Sequence, residues 1–134
     1  MEKTFVMIKP DGVKRKLVGE VLKRIEAKGL SIEKISMTSP DRRILVEHYR
    51  EHEGKSFYND LIEFVSSGRV VLLQVGGEGS IKIMRSLIGD TDPVCASPGT
   101  IRGDFANSKT ENIVHASDSE SSATRELKLW FGDD

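Results

Sequence analysis

Thr4-Phe5-Val6-Met7-Ile8-Lys9-Pro10-Asp11-Gly12 is the stretch on which the fold turns. Thr4 to Ile8 form a short apolar, β-prone run, and Pro10, Asp11 and Gly12 stop it, so it reads as a buried strand ending in a turn. Lys9 then lies at the strand's carboxyl end. No G-x-G-x-x-G follows, and no G-x-x-x-x-G-K-[ST] occurs anywhere. Both glycine loops that hold phosphates at the start of a helix are therefore missing, which argues against an open Rossmann-like parallel sheet.

Outward from this strand, Val18, Val21, Leu22 and Ile25 keep the i, i+3, i+4, i+7 spacing, with Gly29 as a stop, and predict an amphipathic helix. Leu30 to Met37 reads as a second strand. Ser39-Pro40-Asp41 supplies an N-cap and a proline suited to a first turn, opening a short helix toward Tyr49. Phe57, Leu61, Ile62 and Val65 mark another helix, ended by Ser67-Gly68, and Val70 to Val75 reads as a central strand. Ile81, Met84 and Ile88 mark a helix that carries Arg85 and closes at Gly89. From Asp90 to Glu111 periodicity fails, and a connection of that length suggests function or disorder. Asn112 to His115 is a short last strand. Ser117-Asp118-Ser119-Glu120 fits a capping box before Ala123, Leu127, Trp130 and Phe131 on one helical face. The order predicts an α+β chain, a ferredoxin-like β-α-β-β-α-β antiparallel sheet with added helices and a long loop before the last strand. One domain over residues 1–134 is expected.

Composition narrows the function. The chain has 134 residues, 37% hydrophobic and 31% charged, and no run near the roughly 18 apolar residues of a membrane span. Its N-terminus lacks a secretory h-region, and the lone Cys95 supports neither a disulfide framework nor a cysteine metal site, so a cytoplasmic setting is expected. A formal charge of −1 gives no footprint for bulk nucleic-acid binding, and no nucleic-acid partner is expected. Anion recognition must be local, and Lys9, Arg85 and Arg102 each stand beside turn-forming or strand-ending residues.

His115 ends a strand in N-I-V-H-A-S-D and precedes a helix start. A neutral imidazole is a competent nucleophile without a separate base, since its ordinary pKa of about 6.5 leaves most of it deprotonated. Glu126 and Ser117 are placed to orient the ring. His48 and His52 are four apart, but H-E-x-x-H is missing and Gly54 puts the second at a helix end. No further ligands cluster nearby, so both read as surface residues rather than a zinc site.

The chain resembles the nucleoside diphosphate kinase family over essentially its whole length. The resemblance rests on T-F-V-M-I-K-P-D-G-V-x-R-x-L-V-G-E near the start, H-Y-x-E-H-x-G-K-x-F in the middle, P-G-T-I-R-G-D-F, N-I-V-H-A-S-D-S, and R-E-L-x-L-W-F at the end. It implies that His115 takes the γ-phosphoryl of a nucleoside triphosphate and passes it, through a phosphohistidine, to a nucleoside diphosphate. Lys9, Tyr49, Arg85, Thr91, Arg102 and Asn112 match the residues that hold phosphates, sugar and the attacking ring, and Phe57 matches the aromatic that stacks on the base. Mg²⁺ is expected to arrive on the nucleotide phosphates rather than in a dedicated carboxylate cluster. The resemblance also implies a homo-oligomer, hexamer or tetramer. A non-catalytic relative would be expected to lose His115 or a phosphate-holding residue, and all are present.

Two departures stand out. Where the family commonly has W-E-G after its central strand, this chain has Val75-Gly76-Gly77, without the carboxylate. Where many members have V-G-R before the asparagine, this chain has Lys109-Thr110-Glu111, so a lysine replaces the apolar partner that would face the base opposite Phe57. The expectation is altered local packing with retained activity. The chain also ends soon after Phe131, without the extension of longer members.

Overall fold

The computed structural model describes residues 1–132. Its four strands, β1 (Lys3–Ile8), β2 (Ser31–Thr38), β3 (Val70–Gly76) and β4 (Val114–Ala116), form one sheet in the order β2-β3-β1-β4, and every pairing is antiparallel. This is the expected ferredoxin-like arrangement. α1 (Pro10–Lys14) and α2 (Val18–Ala27) lead from β1 to β2. α3 (Arg42–His48) and α4 (Tyr58–Ser66) interrupt the β2–β3 connection, α5 (Ser80–Ile88) and α6 (Ile101–Phe105) lie between β3 and β4, and α7 (Glu120–Phe131) ends the described chain.

Side chains alternate across a strand, so two buried faces need a continuous apolar run. β1 supplies one. Val6 and Ile8 join Val71, Leu73 and Val75 in a core shared with Val21 and Ile25 of α2 and Met84 and Ile88 of α5. Phe5 and Met7 join Val70 and Leu72 in a second core with Leu45 of α3, Ile62 and Val65 of α4, and Leu127 and Trp130 of α7. The register sets His115 opposite Met7. Directly opposed residues share a face, so His115 points to the side of α3 and α7.

Four local expectations change. Pro10 does not merely stop β1; it occupies the first turn of α1, where a missing N–H is harmless. The N-cap of α3 is Asp41, whose side chain accepts from the Arg43 N–H, rather than Ser39. The segment 90–111 contains α6, capped by the Thr100 hydroxyl accepting from Gly103 N–H. α7 is capped by Ser119, which accepts from Ser122 N–H, because the Ser117 hydroxyl is turned inward.

On the edge strand β2 the register slips between Ile32 and Lys34, leaving Glu33 as an extra, bulged residue. Its carboxylate accepts from Gln74 Nε2 at 2.9 Å and leans over Gly76, where an added Cβ would come within 2.5 Å of Glu33 Oε2. A carboxylate from β2 thus fills the space beside the family's missing one. No helix among the described residues is long and apolar enough to cross a membrane.

Candidate active site

A cleft of about 550 Å³ opens beside the end of β4. Its lining includes His115, Lys9, Tyr49, Phe57, Arg85, Thr91, Arg102, Asn112 and Glu126, so nine of the ten residues singled out in the sequence converge there. The tenth, Ser117, lies directly behind it, buried under β1.

His115 is held from both directions along β4. The carbonyl before it, on Val114, accepts from Arg102 Nη2 at 2.7 Å, and the carbonyl after it, on Ala116, accepts from Arg85 Nη1 at 3.0 Å. Arg102 Nη1 also donates to the Gly89 carbonyl at 3.0 Å. An edge strand this short would otherwise leave those carbonyls unpaired. Each guanidinium has five N–H donors, and these bonds leave others for an anion. Arg102 is 4% exposed and its Nε–H has no partner among the described residues. Burial, then repulsion from Arg85, pulls its pKa to about 10, which still leaves it charged at neutral pH.

The ring itself is fixed from behind. His115 Nε2 lies 2.9 Å from Glu126 Oε1, which also accepts from Ser117 Oγ at 2.7 Å. Ser117 in turn accepts from the Phe5 N–H, so β1 anchors the chain of contacts. With Glu126 as a carboxylate, Nε2 carries the hydrogen and Nδ1 carries the lone pair. The His115 side chain is 21% exposed and that of Glu126 6%. Burial, then the charges of Lys9, Arg102 and Arg85, pulls the His115 pKa to about 3, so the ring is neutral at physiological pH. Burial pushes Glu126 upward, against pulls from His48 and Ser117.

Lys9 is buried, and its Nζ donates to Asn112 Oδ1 at 2.8 Å. Burial and Arg102 lower its pKa to about 8. Asn112 Nδ2 donates to the carbonyls of Lys109 and Thr91, tying the long loop to the cleft. The Tyr49 hydroxyl is buried without a partner among the described residues, and burial pushes its pKa up, so it stays protonated. Phe57 is 46% exposed at the cleft's outer part, where Lys109 also lines the wall and pairs with Asp92 at 3.6 Å.

His48 overturns the expectation of a surface residue. It is 3% exposed, its ring centroid is 4.7 Å from that of His115, and its Nδ1 accepts from Trp130 Nε1 at 3.0 Å. α3 ends at His48, so His52, half-buried in the following 3-10 turn, is not on the same helical face. No spacing signal announces such a residue, because its burial comes from α7 and β4. His48, His115 and Glu126 do bring one ligand atom each within 4.8 Å. Trp130 N–H donates only, so neutral His48 carries its own hydrogen on Nε2, and Glu126 Oε1 already receives two donors. The trio is suited to orienting a ring rather than to ligating a metal.

The family model described as Nucleoside diphosphate kinase matches residues 2–134. The curated nucleoside diphosphate kinase of Metallosphaera sedula is 56% identical over 130 residues, 97% of this chain and 93% of that protein. Among solved structures, the apo nucleoside diphosphate kinase of Encephalitozoon cuniculi superposes with a TM-score of 0.98 at 42% identity, covering 100% of this chain and 91% of that one. The halophilic enzyme of Halobacterium salinarum, solved with CDP, gives 0.97 at 43% identity over 99% and 89% of the two chains. By sequence and by fold, this chain belongs to the nucleoside diphosphate kinase family.

Proposed function

We propose that His115 is the residue through which this chain performs its family's reaction, transfer of the γ-phosphoryl of a nucleoside triphosphate to a nucleoside diphosphate in two half-reactions. The Nδ1 lone pair attacks the γ-phosphorus, the bond to the β–γ bridging oxygen breaks, and the diphosphate leaves with that electron pair. The ring now carries phosphorus on Nδ1 and hydrogen on Nε2, and the Glu126 carboxylate stabilises the charge that develops on it. In the second half-reaction a terminal oxygen of the acceptor diphosphate attacks, the N–P bond breaks, and its electron pair returns to Nδ1. The observation that carries this reading is the contact of Nε2 with Glu126, which leaves Nδ1 as the free nitrogen.

Phosphoryl transfer is mostly positioning and neutralisation of charge spread over oxygens. Lys9, Arg85 and Arg102 are the cations for that task, and the Tyr49 hydroxyl and Arg102 Nε–H, both buried and without a partner among the described residues, are spare donors beside them. Thr91 and Asn112 are assigned to the phosphates and sugar, and Phe57 to the face of the base, which is a sequence-tolerant contact. The reaction needs a divalent metal, and Mg²⁺ on the nucleotide phosphates fits the cleft. Of its carboxylates, Glu126 is committed to the ring, while Asp118 is held ionised by Ser122 and Ser119 and lies near Arg85. The CDP held by the Halobacterium relative supports a nucleotide in this cleft. A single domain, a cytoplasmic location and a homo-oligomer of hexamer or tetramer type complete the proposal. Initial rates with ATP and GDP both varied test it: double-reciprocal lines are expected to be parallel, and lines that converge would contradict a phosphorylated intermediate.

A further inference from the structure

Ile113, two residues before His115, has a φ of 77° and is fully buried. A β-branched residue at positive φ is an outlier, because its side chain crowds the backbone there. The Val114 N–H donates to the Asn112 carbonyl at 2.9 Å, closing a three-residue turn of the rare, strained kind centred on Ile113. Strain of this sort persists only where the surroundings over-determine it. Here both polar groups of Ile113 are tied to the segment after β1. Its N–H donates to Asp11 Oδ2 at 2.9 Å, and its carbonyl accepts from the Lys9 N–H at 2.7 Å. Gly12 permits this contact, since a Cβ there would lie 3.0 Å from Ile113 Cγ2 and 3.1 Å from its carbonyl oxygen.

We propose that Asp11, which lies outside the cleft lining, is a positioning residue of the phosphoryl-transfer site: its buried carboxylate holds the strained turn at Ile113 that aims the catalytic strand. The inference rests on the reading of His115 as nucleophile. On one side of the turn stands Asn112, whose Oδ1 accepts from Lys9 Nζ; on the other stands Val114, whose carbonyl accepts from Arg102, followed by His115. The direction the chain takes at Ile113 therefore sets the lysine's partner, the arginine's partner and the imidazole together. Without an acceptor at Asp11, the Ile113 N–H is buried unpaired and the turn relaxes toward negative φ. Asp11 is 7% exposed, and beyond the local backbone amides of Asp11 and Gly12 the Ile113 N–H is the hydrogen-bond donor it meets among the described residues, so its carboxylate joins the turn after β1 to the turn before β4.

The test measures the rate of phosphohistidine formation, nucleotide affinity, and hydrogen exchange at the Ile113 amide in the full chain. D11A is expected to slow phosphorylation by roughly tenfold to a hundredfold, as displacements of about 1 Å do, with nucleotide affinity changed less than the rate. Exchange at Ile113 should rise. D11N keeps an acceptor oxygen and should restore most of the rate, and it serves if D11A fails to fold. In I113G, where positive φ carries no side-chain penalty, adding D11A should slow the enzyme little further. The proposal is overturned if D11A phosphorylates at the wild-type rate with Ile113 still protected, if D11N is as slow as D11A, or if the D11A and I113G effects multiply. If the wild-type chain forms no phosphohistidine at all, the functional reading falls instead, and exchange at Ile113 alone decides the claim about the turn.

Discussion

His115 Nε2 and Glu126 Oε1 stand 2.9 Å apart, and the same carboxylate oxygen receives the Ser117 hydroxyl at 2.7 Å. A helix placed after the catalytic strand thus decides which ring nitrogen is free to react. Glu126→Gln keeps an acceptor oxygen for Nε2 but removes the negative charge that steadies the ring as it becomes positive, and is expected to slow phosphohistidine formation by about tenfold to a hundredfold, the scale on which partners that orient an imidazole act. Ser117→Ala should do less, since Glu126 remains. Rapid-quench measurement of the first half-reaction with Mg-ATP checks both.

The His115 pKa, pulled to about 3 by burial and then by Lys9, Arg102 and Arg85, carries a pH signature. An imidazole with its ordinary value near 6.5 would lose its nucleophilic form as pH falls through that value. Here the lone pair survives, so the rate of phosphoryl acceptance should hold between pH 7 and pH 5. A fall of about tenfold per unit below pH 6.5, traced to this ring by NMR titration, would contradict the electrostatic environment described.

Lys9 acts at the other end of the range. Its pKa of about 8 in the free protein means that it loses its charge as pH rises through that value. On the proposed assignment of Lys9 to the nucleotide phosphates, which favour the ammonium form, KM should rise above pH 8 by up to about tenfold per pH unit, while Lys9→Gln should show a high and flat KM over the same interval. Initial rates from pH 7 to 9.5 measure this.

Much of this architecture was legible in the residues themselves. α2, α4 and α5 announce themselves by 3.6-residue spacing with glycine or serine stops. His115 stands out at the end of the apolar pair Ile113-Val114, although the strand expected over 112–115 is shifted to Val114–Ala116 and holds His115 at its middle, because the turn at Ile113 delays its start. The illegible parts are those that only tertiary contact creates. α6 has five residues, too few for a period to show, and it exists because Thr100 caps it. Ser117 has the spacing of a capping residue, yet its hydroxyl bonds Glu126 because the register of β4 against β1 turns it inward. His48 carries no sequence mark of burial; Trp130, 82 positions later, supplies its partner. The turn at Ile113 is equally silent, since isoleucine is the last residue one would assign a positive φ.

The departure at Gly76 also has a structural account, with a consequence for stability. Glu33, bulged out of β2, occupies the place beside Gly76. Restoring the family carboxylate with Gly76→Glu would set two acidic groups against each other and is expected to lower the unfolding free energy by about 1 kcal/mol. Removing the first carboxylate as well, with Glu33→Gln, should recover most of it. Urea unfolding of the single and double variants tests this, with phosphotransferase activity unchanged in both.

The most direct measurement is to incubate the chain with γ-labelled ATP and Mg²⁺ in the absence of an acceptor, then add GDP. The expected result is an acid-labile, alkali-stable label on the protein, absent from His115→Ala and discharged as labelled GTP. A label that persists in His115→Ala, or a wild-type chain that binds nucleotide and makes GTP without ever being labelled, would contradict His115 as the carrier of the phosphoryl group.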